Sequence, residues 1–220
     1  MQVTEDIHAF IWTSASANNC NTYLLGGPAP ILIDPGHLHL FDHVRRGLDE
    51  LGLAITDIGL VLCTHAHPDH IEAVQLFKQQ GVPFALHREG WRLIEAMKSQ
   101  ISAMGADIEA ITPDFFLGEG DLSVHGFDLR VFHTPGHSPG SCCFYLPDLK
   151  ALFTGDLVFK DGLGRTDLPG GSGEQLKQSI LRMAALDTDW MLPGHGNFLK
   201  GKEEIQRNYS AVEQFYFSYV

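Results

Sequence analysis

Positive charge is scarce in this sequence of 220 residues: 15 lysines and arginines stand against 27 aspartates and glutamates, a formal charge of −12. That balance excludes a nucleic-acid backbone as the main partner, since such binders carry a basic footprint. Long apolar runs are missing too. The longest, Ile58 to Cys63, contains Gly59, whereas a membrane span needs roughly 18 apolar residues. The first residues, Met1 to Asp6, are acidic where a secretory signal is basic, so the expected location is the cytoplasm. Cysteine is limited to Cys20, Cys63, Cys142 and Cys143, and no two form a Cys-x-x-Cys pair. A thiolate zinc site is thereby excluded, and reduced thiols are expected. None is needed as a staple, because a chain of this length buries roughly 70% of its unfolded surface. One domain over residues 1–220 is expected.

What the sequence holds in excess is histidine, with twelve. They are set in an alternation of strand-like and helix-like segments. Ile7–Trp12, Thr22–Leu25 and Ile31–Asp34 read as strands, the last closed by the turn Asp34-Pro35-Gly36. Phe41, Val44, Leu48 and Leu51 recur at helical spacing before Gly52. Ile58–Cys63 has the continuous apolar character of a strand buried on both faces. Ile71, Val74 and Phe77 predict a short helix, Phe84–Leu86 a strand, and Ile94, Met97, Ile101 and Met104 one long helix. In the second half Phe127–Val131, Cys142–Leu146, Leu152–Thr154 and Trp190–Leu192 read as strands. Ser172 and Gln175 resemble a capping box for a helix carrying Leu176, Ile180 and Met183, and Ile205 to Tyr219 predict a closing helix. Strands followed by strand–helix alternation, twice over, predict two packed sheets with helices outside.

The segment His65-Ala66-His67-Pro68-Asp69-His70 leaves the buried strand and enters a helix. Three imidazoles and a carboxylate within six residues would be costly to pack without a counter-ion. A divalent metal removes that cost, because neutral imidazole and carboxylate are ligands for zinc, iron or manganese. Further donors stand at other strand exits: His137 in Pro135-Gly136-His137-Ser138-Pro139-Gly140, Asp156 after Gly155, and His195 in Pro193-Gly194-His195-Gly196. The neighbouring glycines let backbone approach closely. Asp34 is read as a brace for the metal loop. Of the remaining histidines, His8, His37, His39, His43, His87, His125 and His133 fit no motif position and default to surface or packing roles.

The run His65-x-His67-x-Asp69-His70, followed by His137, Asp156 and His195, resembles the metallo-β-lactamase superfamily, and the likeness spans nearly the whole chain. It implies an α/β fold, the αββα sandwich of that superfamily. It also implies that His65, His67 and His137 hold one divalent metal, that Asp69, His70 and His195 hold a second, and that Asp156 bridges them. Zinc is the expected ion, with iron or manganese as alternatives. Within the superfamily, Gly136-His137-Ser138-Pro139-Gly140 and the loop Gly164 to Gly171 resemble the glyoxalase II group, the hydroxyacylglutathione hydrolases. Only 25 of the 220 residues follow His195, so the C-terminal helical domain of typical members is expected to be absent. The loop carries Arg165 and Asp167 where those members carry lysine and tyrosine. These two residues either bind a substrate carboxylate or pair with each other.

The resemblance implies a hydrolase that cleaves a thioester such as S-lactoylglutathione with a hydroxide generated at the metals, Asp69 orienting that hydroxide. A small-molecule thioester is the expected partner, with neither nucleic acid nor membrane. The same motifs also resemble persulfide dioxygenases, which would use one iron(II) on His65, His137 and Asp156. A non-enzymatic metal-binding protein is the third reading. Oligomeric state is not encoded in any of these features.

Overall fold

The computed structural model describes residues 1–103 and 109–220, with the side chains of residues 102 and 103 left aside. It divides into two compact units, Met1–Leu117 and Gly118–Val220. Among the described residues no helix is long and apolar enough to cross a membrane.

The first unit is built on a six-stranded sheet in the order of the sequence, β1 (Ile7–Phe10), β2 (Thr22–Leu25), β3 (Ile31–Ile33), β4 (Leu60–Leu62), β5 (Phe84–His87) and β6 (Phe115–Leu117). The β1–β2 and β2–β3 pairs are antiparallel, and β3 to β6 run parallel. Leu24, Leu32, Val61 and Phe84 lie in one register row across four strands. All four belong to one buried cluster with Val44 and Leu48 of α1 (Asp42–Glu50) and Val74 and Phe77 of α3 (Val74–Lys78). Burying this row removes large aliphatic and aromatic side chains from water, each worth about 1.5–3 kcal/mol. Gly52, at φ +71°, ends α1 as the spacing requires.

Two helix readings need correction. The stretch around Ile71 is two short pieces, α2 (Pro68–Ile71) and α3, rather than one helix. The long helix breaks at Met97 into α4 (Arg88–Ala96) and α5 (Lys98–Ala103), where the backbone reaches φ −96°, ψ 7°. Its apolar spacing survives the break, so periodicity alone could not show it. Met104 lies outside the described residues.

The second unit carries strands β7 (Gly120–Val124), β8 (Phe127–His133), β9 (Cys142–Leu146), β10 (Ala151–Gly155), the small hairpin β11 (Val158–Phe159) and β12 (Gly162–Leu163), then β13 (Trp190–Pro193) and β14 (Leu199–Lys200). Its main sheet has the order β14-β13-β10-β9-β8-β7. Leu176, Ile180 and Met183 of α6 (Gly173–Ala184) and Ile205, Tyr209 and Val212 of α7 (Lys202–Tyr216) are buried with Cys143, Leu152 and Met191 of the sheet. Ser172 caps α6, its hydroxyl accepting the Gln175 N–H.

Sheet polarity decides where the polar loops emerge. In the second unit β10 and β13 are parallel, and β9 is antiparallel to both β8 and β10. The C-terminal ends of β8, β10 and β13 therefore share one edge, and His137, Asp156 and His195 follow those three ends. In the first unit β3 and β4 are parallel, so Asp34 and the His65–His70 loop also leave from a common edge. Ligand sites of α/β sheets lie outside the carboxyl ends of the strands.

Candidate metal centre

The first unit holds four of the expected ligands on the loop after β4 and on α2. His65, Asp69 and His70 are buried and His67 is half-buried. Asp34 organises them. Its Oδ1 accepts the Thr64 N–H at 2.8 Å, and its Oδ2 accepts the Thr64 hydroxyl at 2.7 Å. The same Oδ2 lies 2.9 Å from His70 Nδ1. The Thr64 hydroxyl, committed as donor to Asp34, can in turn accept Nδ1–H of His65 at 3.1 Å. Both imidazoles are thus held through Nδ1, which directs the lone pair of Nε2 outward as a metal ligand requires. His65 Nε2 faces His67 Nδ1 at 3.1 Å. Asp34 itself sits at φ +54°, a conformation that aspartate tolerates better than most residues.

The loop before β2 supplies a residue that motif reading passes over. Asn18 Nδ2 donates to Asp69 Oδ2 at 2.6 Å, and the Cys20 N–H reaches the Asp69 carbonyl at 3.3 Å. Nothing in the spacing of the sequence links Asn18 to Asp69, 51 positions away.

In the second unit His137 is buried, Asp156 nearly so, and His195 half-buried. Asp156 Oδ2 lies 3.5 Å from His137 Nε2 and 3.3 Å from His195 Nε2. His137 Nδ1–H donates to the Arg165 carbonyl at 2.8 Å, so its Nε2 faces the carboxylate as an acceptor beside an acceptor. Gly194 N–H donates to the Gly155 carbonyl at 2.8 Å and fastens the β13 exit to the β10 exit. Gly164 passes so near Asp156 that a Cβ there would strike the Asp156 carbonyl oxygen. Only a residue without a side chain fits that approach.

Tetrahedral coordination at about 2.0–2.2 Å sets neighbouring ligand atoms about 3.3–3.6 Å apart. The Asp156 pairs at 3.3 and 3.5 Å match that edge length, and the His65–His67 pair at 3.1 Å is slightly shorter. Donor type and spacing in each set therefore fit a divalent metal.

The chain matches the model of the metallo-beta-lactamase superfamily over residues 15–195. The chain belongs to that superfamily. A hydroxyacylglutathione hydrolase, GloC of Haemophilus influenzae, is 33% identical over 202 residues, covering 89% of this chain and 93% of GloC. A probable metallo-hydrolase of Bacillus subtilis, YqgX, is 32% identical over 180 residues, covering 79% of this chain and 83% of the relative. Among solved structures, TTHA1623 in a di-iron-bound form aligns with TM-score 0.70 at 32% identity, covering 89% of this chain and 92% of that one. The α/β fold is the metallo-β-lactamase type read from the sequence, and the protein is a metal-dependent hydrolase of the superfamily.

Arg165 and Asp167, left open between two roles, are paired. Arg165 donates from Nε to Oδ1 at 2.7 Å and from Nη2 to Oδ2 at 2.6 Å. The guanidinium lowers the Asp167 pKa to about 2, and both side chains stay exposed. None of the four cysteines is in a disulfide, and all four are buried. Burial pushes the thiols of Cys63 and Cys142 well up, and that of Cys143 to about 12, which disfavours the nucleophilic thiolate at these three positions.

Proposed function

We propose that the protein hydrolyses a thioester, of which S-lactoylglutathione is the model substrate, with two divalent metals of which zinc is the first choice. His65, His67 and His137 would hold one metal, Asp69, His70 and His195 the other, and Asp156 would bridge them. The observation that carries this reading is Asp156 Oδ2, flanked by His137 Nε2 and His195 Nε2 at 3.5 and 3.3 Å. A mononuclear site on His65, His137 and Asp156 would leave His195 beside that oxygen without a purpose. The kinship with GloC supports the acyl-glutathione class.

Bound in this set, divalent metals would bring the pKa of a coordinated water toward 7 and polarise the substrate carbonyl. The chain's own residues would do the rest. Asn18 holds Asp69 Oδ2, which fixes the carboxylate that accepts a proton from the attacking water. The Arg165 carbonyl holds the His137 ring in orientation. Arg165 and Asp167, exposed and prearranged as a pair, would meet the polar end of the substrate. No strong acid is needed for the leaving group, because a thiolate leaves with a pKa near 8.5.

The test is thiol release from S-lactoylglutathione by the zinc-loaded protein, run beside oxygen uptake on glutathione persulfide. Thiol release that a chelator abolishes and zinc restores is expected. Oxygen uptake without thioester cleavage would overturn the proposal in favour of the mononuclear iron reading.

A further inference from the structure

Two of the histidines outside the motif, His37 and His39, do not lie apart on the surface. The turn Asp34-Pro35-Gly36, with Gly36 at φ +87°, delivers His37 into a 3-10 turn over Leu38–Leu40. Gly36 N–H donates to the His70 carbonyl at 3.2 Å, and Ala73 N–H donates to the Gly36 carbonyl at 2.9 Å. These bonds clamp the turn against the residues on either side of Glu72. Asn19 Oδ1 fixes the turn from the other side, accepting the His37 N–H at 2.8 Å.

As a result Glu72 Oε2 lies 2.7 Å from His37 Nδ1. The rings of His37 and His39 are 5.0 Å apart between centroids. One donor atom from each of His37, His39 and Glu72 falls within 4.8 Å of the others. An ordinary hydrogen-bonded turn accounts for His37 and Glu72 but gives no reason for His39 beside them. Two imidazoles and a carboxylate with an open side form the donor set that late first-row divalent ions take, water filling the remaining position. The set is reachable: the side chains of His37 and Glu72 are 19% and 34% exposed and His39 is exposed. A chain of formal charge −12 also concentrates cations at its surface.

We propose that His37, His39 and Glu72 bind a further divalent metal ion of the zinc class, in addition to those of the candidate centre. This backbone is held in place while its three donors stay open to solvent, so the ion should exchange readily and bind more weakly than one held by buried ligands. The site uses none of the seven residues assigned to hydrolysis, and it stands or falls independently of that assignment.

The experiment is a zinc titration, with a chromophoric chelator as competitor, of protein that retains its tightly held metal after gel filtration. The full chain should take up one additional zinc equivalent. His39→Ala, at an exposed position, should lose that equivalent while keeping the tightly held metal and its unfolding midpoint, and Glu72→Gln should lose it too. Absence of the additional equivalent in the parent chain, or its persistence in both variants, would overturn the proposal. A failure of the hydrolytic reading would appear in thiol release instead, so the two are told apart.

Discussion

Asp34 Oδ2 stands 2.9 Å from His70 Nδ1, across 36 positions of sequence, while the same carboxylate takes both the N–H and the hydroxyl of Thr64. One buried acid thus sets the orientation of His70 directly and of His65 through Thr64. Outer partners of this kind hold a ligand's tautomer and direction, and losing one typically costs 10–100-fold in metal affinity or activity.

Asp34→Asn is therefore expected to weaken metal binding by about 10–100-fold. Asparagine keeps the size and tolerates the positive φ, but its amide group turns a donor toward either Thr64 or His70. Competition with a graded series of chelators reads the loss. Unchanged affinity would mean that Asp34 serves the loop backbone alone.

Asp156→Ala should damage activity far more than Arg165→Ala. Asp156 Oδ2 is the atom shared by His137 and His195, whereas Arg165 is satisfied by Asp167 at the surface. Steady-state kinetics with metal content measured on the same samples separates the two. If Arg165→Ala proved the more harmful change with metal intact, the loop would carry chemistry assigned here to the carboxylate.

The proposed ligand residues stand out in the sequence because His65-x-His67-x-Asp69-His70 is contiguous and the other three follow strand exits beside glycines. Strand β9 was legible to the residue because Cys142–Leu146 is an apolar run ending at Pro147. Asn18 was not, since its bond to Asp69 spans 51 positions and depends on how a loop folds back. Nor was β6, which has three residues, only one of them buried. The breaks at Met97 and after Ile71 keep apolar spacing intact and leave no mark in the pattern. The cluster of His37, His39 and Glu72 escaped for the same reason as Asn18: its third member comes from a different loop, brought in by backbone bonds of Gly36.

Acid should weaken the second unit through Glu119. Its carboxylate is gripped by both Arg182 Nη1 and Nη2, at 2.7 and 2.9 Å, and by the His133 N–H at 3.1 Å. Chiefly through Arg182, this lowers its pKa from 4.5 to about 2. A depressed folded-state pKa gives stability that is complete above the unfolded value and fades as pH falls through the folded one. The pair is nearly half exposed, so screening holds its worth to about 1 kcal/mol or less. Denaturant unfolding of the parent chain and of Glu119→Gln should differ near neutrality and converge toward pH 2. A difference that does not change with pH would contradict this assignment.

The central proposal is that seven residues, His65, His67, Asp69, His70, His137, Asp156 and His195, would together hold the two metals of a hydrolytic centre. Anomalous diffraction from crystals of the metal-loaded protein tests it most directly. The account predicts two peaks about 3.5–4 Å apart, with Asp156 touching both and His195 on the metal that His70 binds. A single peak bound by His65, His137 and Asp156 alone would contradict it.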